Sequence, residues 1–263
     1  MKSTLNRAAH AILRLWHPSA SVSEAERTAY LQDAKNMSTE IADWLGHASF
    51  ESIGLGQNCN ASWYLKATGN KKASYPLDWT YSTPGIICDM LEDDFQAFLD
   101  PAQLIPHGMD AGHKRYHEWL FGHRNPASSK SDLEFFKRAV ARWRETMRDQ
   151  RPVVFLTIVL NEPEKRKRWR TGFTKQFELP KHQQLDDFRA QMDKLSAINP
   201  NCRFLFVEQY TDRPFSLKVM KRNGQALWIR FDAIGSNSGV LYLNDMDDLV
   251  MRTMLAKLGQ AST

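Results

Sequence analysis

The chain has 263 residues, of which 42% are hydrophobic and 25% charged, which suits one large α/β domain and argues against disorder. No apolar run reaches the ~18 residues that a membrane span requires. The net charge of +5 admits an anionic ligand without demanding one, and Cys59, Cys88 and Cys202 have neither zinc-site spacing nor the even count of a disulfide framework.

Reduced thiols fit a reducing compartment, so a cytoplasmic location is expected. Residues 1–23 carry Lys2, Arg7 and Arg14 and no acid. Ala8, Ala11, Ile12, Leu15 and Trp16 would share one helical face. Transit peptides, peripheral membrane helices and ordinary packed helices all have this pattern. Residues 1–48 are read as an N-terminal helical extension, able to touch a membrane surface, ahead of an α/β domain over 49–263.

Within the extension, a helix is predicted over 22–46, capped by Ser21 or Ser23 and stopped by Gly46. The stretch Ser49 to Gly56 alternates like a short strand and runs into glycine, and Asn60 to Thr68 then has helical spacing up to Gly69. Pro76-Leu77-Asp78-Trp79 reads as a short extended segment. Ser82 or Thr83 caps the next helix, with Pro84 in its first turn. Residues 100–130 read as loop-rich and hold four of the eight histidines. Asp132 to Asp149 has the apolar stripe Leu133, Phe136, Val140, Trp143 of an amphipathic helix.

The second half has clearer strand signals. Pro152 to Leu160 is a nearly unbroken apolar run, as in a strand covered on both faces. A helix is predicted over Leu185 to Ile198, strands over Arg203 to Glu208 and Ala226 to Phe231, and a last helix over Met246 to Leu258. Strands alternating with helices indicate an α/β fold, a mostly parallel central sheet flanked by helices in three Rossmann-like layers. Active loops of such sheets lie at the C-terminal strand ends, which is where Gly56-Gln57-Asn58-Cys59 falls.

Four constellations have chemistry in reach. Cys59 at a helix start would feel the positive end of the backbone dipole, which favours thiolate, and Asn58 with the first-turn N–H groups could hold an oxyanion. A small buried cysteine packing a helix on a sheet has the same spacing. His117 and His123 are the candidate bases, with His107 and His113 upstream; solvated loop histidines are the alternative, and the spacings match no metal motif. Asp78, between Leu77 and Trp79, could orient a histidine, cap the turn at Ser82 or pair with an arginine. The basic run Glu164 to Arg170, with Arg168 beside Trp169, could meet an acidic ligand or be a solvated face. No zinc-finger, RRM or Walker pattern points to nucleic acid or nucleotide, and no metal or cofactor is expected.

The motifs Ser52-Ile53-Gly54-Leu55-Gly56-Gln57-Asn58-Cys59, Pro76-Leu77-Asp78-Trp79 and Leu91-Glu92-Asp93-Asp94-Phe95, in this order, resemble a bacterial family of unknown function grouped with papain-like cysteine peptidases. The resemblance implies Cys59 as nucleophile, a histidine near Phe121-Gly122-His123 as base, and Asp78 as an orienting or structural acid. Gly56, Gln57 and Trp79 would line the ligand site with Arg168. Leu77 stands where the family has an aromatic. Papain-like enzymes pair a helical lobe with an antiparallel barrel, whereas this sequence alternates as α/β. Its strand–turn–helix is also similar to the first block of SGNH-type esterases with cysteine in place of serine, but Asp245 to Asp248 lacks their Asp-x-x-His histidine. Two functions are therefore expected: a cysteine hydrolase or acyltransferase acting on a small molecule, peptide or glycan, or a non-catalytic protein binding a glycan or acidic ligand.

Overall fold

The computed structural model describes residues 22–46, 48–162 and 171–258. The N-terminal segment 1–20 and the basic run with Lys165, Arg166 and Arg168 lie outside the described residues. Helix α1 spans Glu24–Leu45. Ser23 Oγ accepts the Glu26 N–H at 3.3 Å and the Glu26 carboxylate takes the Ser23 N–H at 2.9 Å, a capping box that stabilises the helix start by about 1 kcal/mol. Gly46, with φ +74°, ends it.

The frame is a five-stranded sheet in the order β1 (Glu51–Gly54), β5 (Val153–Leu160), β6 (Cys202–Tyr210), β8 (Ala226–Asp232), β7 (Ser216–Arg222). All pairings are parallel except that of β7 with β8. Strand periodicity sorts the side chains. On β5, Val153, Phe155 and Val159 enter one apolar cluster, while Val154, Leu156 and Ile158 enter the other. The first face is covered by α3 (Pro84–Glu92), α5 (Lys130–Arg148) and α6 (Arg189–Ile198). The second is covered by α1, α2 (Asn60–Ala67) and α7 (Asp245–Met254). This is the expected α/β architecture in three layers. Helix α1 belongs to the same apolar layer as α7, with Ala34, Ile41 and Trp44 packed in the cluster that holds Met251 and Leu255. Among the described residues no helix is long and apolar enough to cross a membrane.

Residues 100–130 differ from the loop expected. After the short helix α4 (Gln96–Leu99), they form an antiparallel sheet of β2 (Leu104–His107), β3 (Asp110–His113) and β4 (His117–Phe121). Each strand has only four or five residues, and Pro106, Gly108 and Gly112 interrupt the pattern that would have marked them. Gly112 sits at a register shift where a Cβ would come within 2.0 Å of the Glu118 carbonyl oxygen. Edge strand β7 was also missed, because its residues are mostly exposed and Val219-Met220, at a register shift, breaks the alternation. The Pro76 to Trp79 segment is a turn rather than extended chain. The helix expected from Leu185 opens as a 3-10 turn over Leu185–Phe188 before α6.

Candidate active site

The turn between β1 and α2 is built by close approaches. A Cβ on Gly54 would meet Ser62 Oγ at 2.8 Å, so glycine lets α2 lie against the strand. A Cβ on Gly56 would fall 2.2 Å from the Asn58 carbonyl oxygen, so only glycine allows the chain to fold back there. Ser82 Oγ donates to the Gly56 carbonyl and locks the turn to the segment before α3.

Two amides tie this turn to the ends of the sheet strands. Gln57 Oε1 accepts the Leu160 N–H at 3.1 Å, and Gln57 Nε2 donates to Gln183 Oε1. Asn60 Nδ2 reaches Gln209 Oε1 and Asn237 Oδ1, each at 3.1 Å. Beyond β5, Asn161 Nδ2 donates to the Gln183 carbonyl at 2.8 Å and to Glu208 Oε1 at 2.7 Å. Tyr210 and Trp228 also donate to Glu208, and His182 Nε2 lies 3.8 Å from its Oε1. Sequence reasoning missed Asn161, Gln183, Glu208, Gln209 and Asn237. The available signal was a polar residue closing an apolar strand: Asn161 follows Val153 to Leu160, and Glu208-Gln209 closes Phe204 to Val207.

Asn58 is buried, and its Oδ1 accepts the Asn60 N–H at 3.0 Å in a local Asx turn. Its Nδ2 is buried with no hydrogen-bond partner. Cys59 occupies the N-cap position of α2 and makes no capping bond. Burial pushes its thiol up to about 12, with the negative charge of Asp110 adding to the shift. Desolvation thus works against the helix dipole and favours the neutral thiol, as for the buried packing cysteine also considered from sequence.

Cys59 Sγ lies against the end of β4. A Cβ on Gly122 would be 3.8 Å from Sγ and 3.6 Å from the Trp79 carbonyl oxygen. The next residue, His123, is exposed and has φ +66°, a left-handed conformation fixed by its N–H donating to Asp110 Oδ1 at 3.0 Å. Its ring meets the Trp79 ring edge-on at 6.2 Å. Thr80 bridges to Phe121, and the Tyr81 N–H donates to the Leu120 carbonyl at 3.0 Å. The small sheet is thus fastened beside the cysteine turn.

His117 stands at the other end of β4, roughly 16 Å from Gly122 at ~3.3 Å per residue. It is buried, its Nδ1 accepts the Trp119 N–H at 2.8 Å, and its ring packs against Phe173 at 4.3 Å and Tyr81 at 5.2 Å. Asp78 faces a lysine instead of the histidine, the Ser82 turn or the arginine considered from sequence. It pairs with Lys71, accepts the Tyr75 N–H at 2.6 Å and takes the Ser62 hydroxyl at 3.0 Å. Asp78 therefore joins the 71–78 loop to α2.

A family model described as "putative papain-like cysteine peptidase" matches residues 51–184. No curated protein and no solved structure matches the chain.

Proposed function

The chain belongs to that family, and on this premise we propose that it is a cysteine hydrolase with Cys59 as nucleophile and His123 as general base. The observation that carries the reading is the approach of Gly122 to Cys59 Sγ, which puts the turn bearing His123 beside the thiol. A thiol raised to about 12 loses its proton as it attacks, not beforehand, so the base must act in the same step.

Cys59 Sγ bonds to the acyl carbon while His123 takes the thiol proton and the carbonyl electrons move onto oxygen. Asn58 Nδ2 and the first-turn N–H groups of α2 hold that oxyanion. The intermediate collapses, the bond to the leaving group breaks, and His123 returns the proton to that group. Water then attacks the thioester, His123 taking its proton, and the acid and the free thiol are released. An alcohol or amine in place of water would make the same site an acyltransferase. Asp78 and His117 have structural roles in this scheme: one holds α2, the other packs the small sheet against Phe173. Gly56 and Gln57 shape the turn, and Trp79 packs edge-on with the His123 ring.

The buried polar atoms that lack partners, Asn60 Oδ1 and Gln183 Nε2, favour a second reading in which the strand ends bind a glycan or acidic ligand without chemistry. Turnover of activated esters and a peptide library by wild type and Cys59→Ala separates the two. Loss of turnover with an unchanged circular dichroism spectrum is expected. Full activity in Cys59→Ala would reject the hydrolase, and ligand-induced stabilisation without turnover would favour binding.

A further inference from the structure

Beside Cys59, Tyr81, Asp110, Trp119 and Gly122 line a small open pocket of ≈ 40 Å³. That volume suits a head group of a few heavy atoms, not a whole ligand. Two of the four lining residues are aromatic, and the one charged group among them is a carboxylate. Asp110 is half-buried at the start of β3, reached through the Gly108-Met109 hairpin tip. Its Oδ1 is held by the His123 N–H, whereas Oδ2 takes no hydrogen bond or ion pair among the described residues. His107 stacks on Trp119 with ring centroids 4.5 Å apart and fixes one wall. A small pocket lined by one carboxylate residue and two aromatic residues suits a compact cation, whose charge would pair with the carboxylate oxygen.

We propose that this pocket recognises a primary ammonium group on the substrate and that Asp110 is the residue that sets this preference. The inference rests on the reading of Cys59 as the reacting group, and it names the class of substrate: an acyl compound carrying an amine close to the scissile carbonyl. The shared chemistry has two sources in a peptide, the free amino terminus and a lysine side chain. An anionic group entering the same pocket would meet the Asp110 charge with no compensating cation among the described lining residues.

The test does not need turnover. Cys59 labelling is followed by mass-spectrometric site assignment with methanethiosulfonates bearing an ethylammonium, a methyl or an ethylsulfonate group. Rates are normalised to those with a small free thiol. Wild type should favour the ammonium over the sulfonate reagent by about tenfold or more, and Asp110→Asn, which keeps the acceptor for the His123 N–H, should bring the ratio near unity. Equal rates in wild type, a preference unchanged in Asp110→Asn, or no labelling of Cys59 by any reagent would overturn the proposal.

Protection of Cys59 by peptides then assigns the source. A peptide with a free amino terminus and no lysine, an acetylated peptide with lysine, and an acetylated peptide without lysine are compared. Protection by the first alone assigns the terminal amine, and by the second alone the side chain. Equal protection by the third, or protection by neither cationic peptide, would overturn the proposal. A charge preference without turnover of any substrate would instead reject the hydrolase reading and leave the pocket assignment standing.

Discussion

Lys71 and Asp78 form an ion pair in which the lysine side chain is 8% and the aspartate side chain 1% exposed. Burial pulls the ammonium below its ordinary value even though Asp78 opposes that shift. Removing one partner leaves an uncompensated buried charge, which typically costs about 3–5 kcal/mol. Asp78→Asn should therefore lower the melting temperature by roughly 10 °C, at about 2–4 °C per kcal/mol for a chain of this size. Scanning calorimetry checks it; a change below about 2 °C would remove the pair from the account of how α2 is held.

Cys59 should react slowly in the free protein. A thiol near 12 holds on the order of a thousandfold less thiolate at neutral pH than an ordinary one near 8.5. Iodoacetamide labelling should rise tenfold per pH unit between about pH 7 and 10 without a plateau, and should jump on denaturation. Rapid labelling that persists to about pH 6 would show a preformed thiolate and contradict the step order given above.

Asn58→Asp keeps the oxygen that accepts the Asn60 N–H and replaces the unpartnered Nδ2. The fold should survive while turnover falls by about 10²–10³, the usual effect of losing one oxyanion donor. Asn58→Ala, which also loses the Asx turn, should cost stability as well as rate. Steady-state kinetics alongside urea denaturation separates the two; undiminished kcat in Asn58→Asp would dismiss Asn58 as a donor.

Gly56→Ala and Gly224→Ala form a matched pair. The first puts a methyl group 2.2 Å from a carbonyl oxygen, and the second meets nothing within 4 Å. Chemical denaturation should give a loss above about 2 kcal/mol for Gly56→Ala and a change within about 0.5 kcal/mol for Gly224→Ala. Equal values would mean that the turn relaxes freely.

Asp247 is buried while accepting N–H groups from Ile234 at 3.1 Å and Gly235 at 2.8 Å. Burial raises it from 3.8 to about 6. A raised folded value means that its contribution to stability is full below about pH 4 and is lost as pH rises through about 6, a swing of about 3 kcal/mol. Urea unfolding at a series of pH values should show this loss, and Asp247→Leu should lack it. The same slope in both proteins would assign the effect to another group.

The frame was legible because its physics is local. The unbroken run Val153 to Leu160 could only be a covered strand, and Ser23, Gly46, Thr83 and Pro84 mark helix ends by their own chemistry. The cysteine turn was legible for the same reason. The small sheet was hidden by Pro106, Gly108 and Gly112, whose tolerance there depends on neighbours far along the chain. Lys71 as the partner of Asp78, and Gln183 as the partner of Gln57, are meetings that only the fold creates. For Cys59 the helix dipole is visible in sequence, while the depth of burial that opposes it is not.

The three-stranded sheet that brings Gly122 and His123 to Cys59 is inserted between α4 and α5, apart from the five strands of the frame. The proposed nucleophile and base thus come from two different building blocks. A change in length or charge at the Gly108-Met109 hairpin would therefore fall on the inserted sheet and leave the strand pairings of the layered frame as they are.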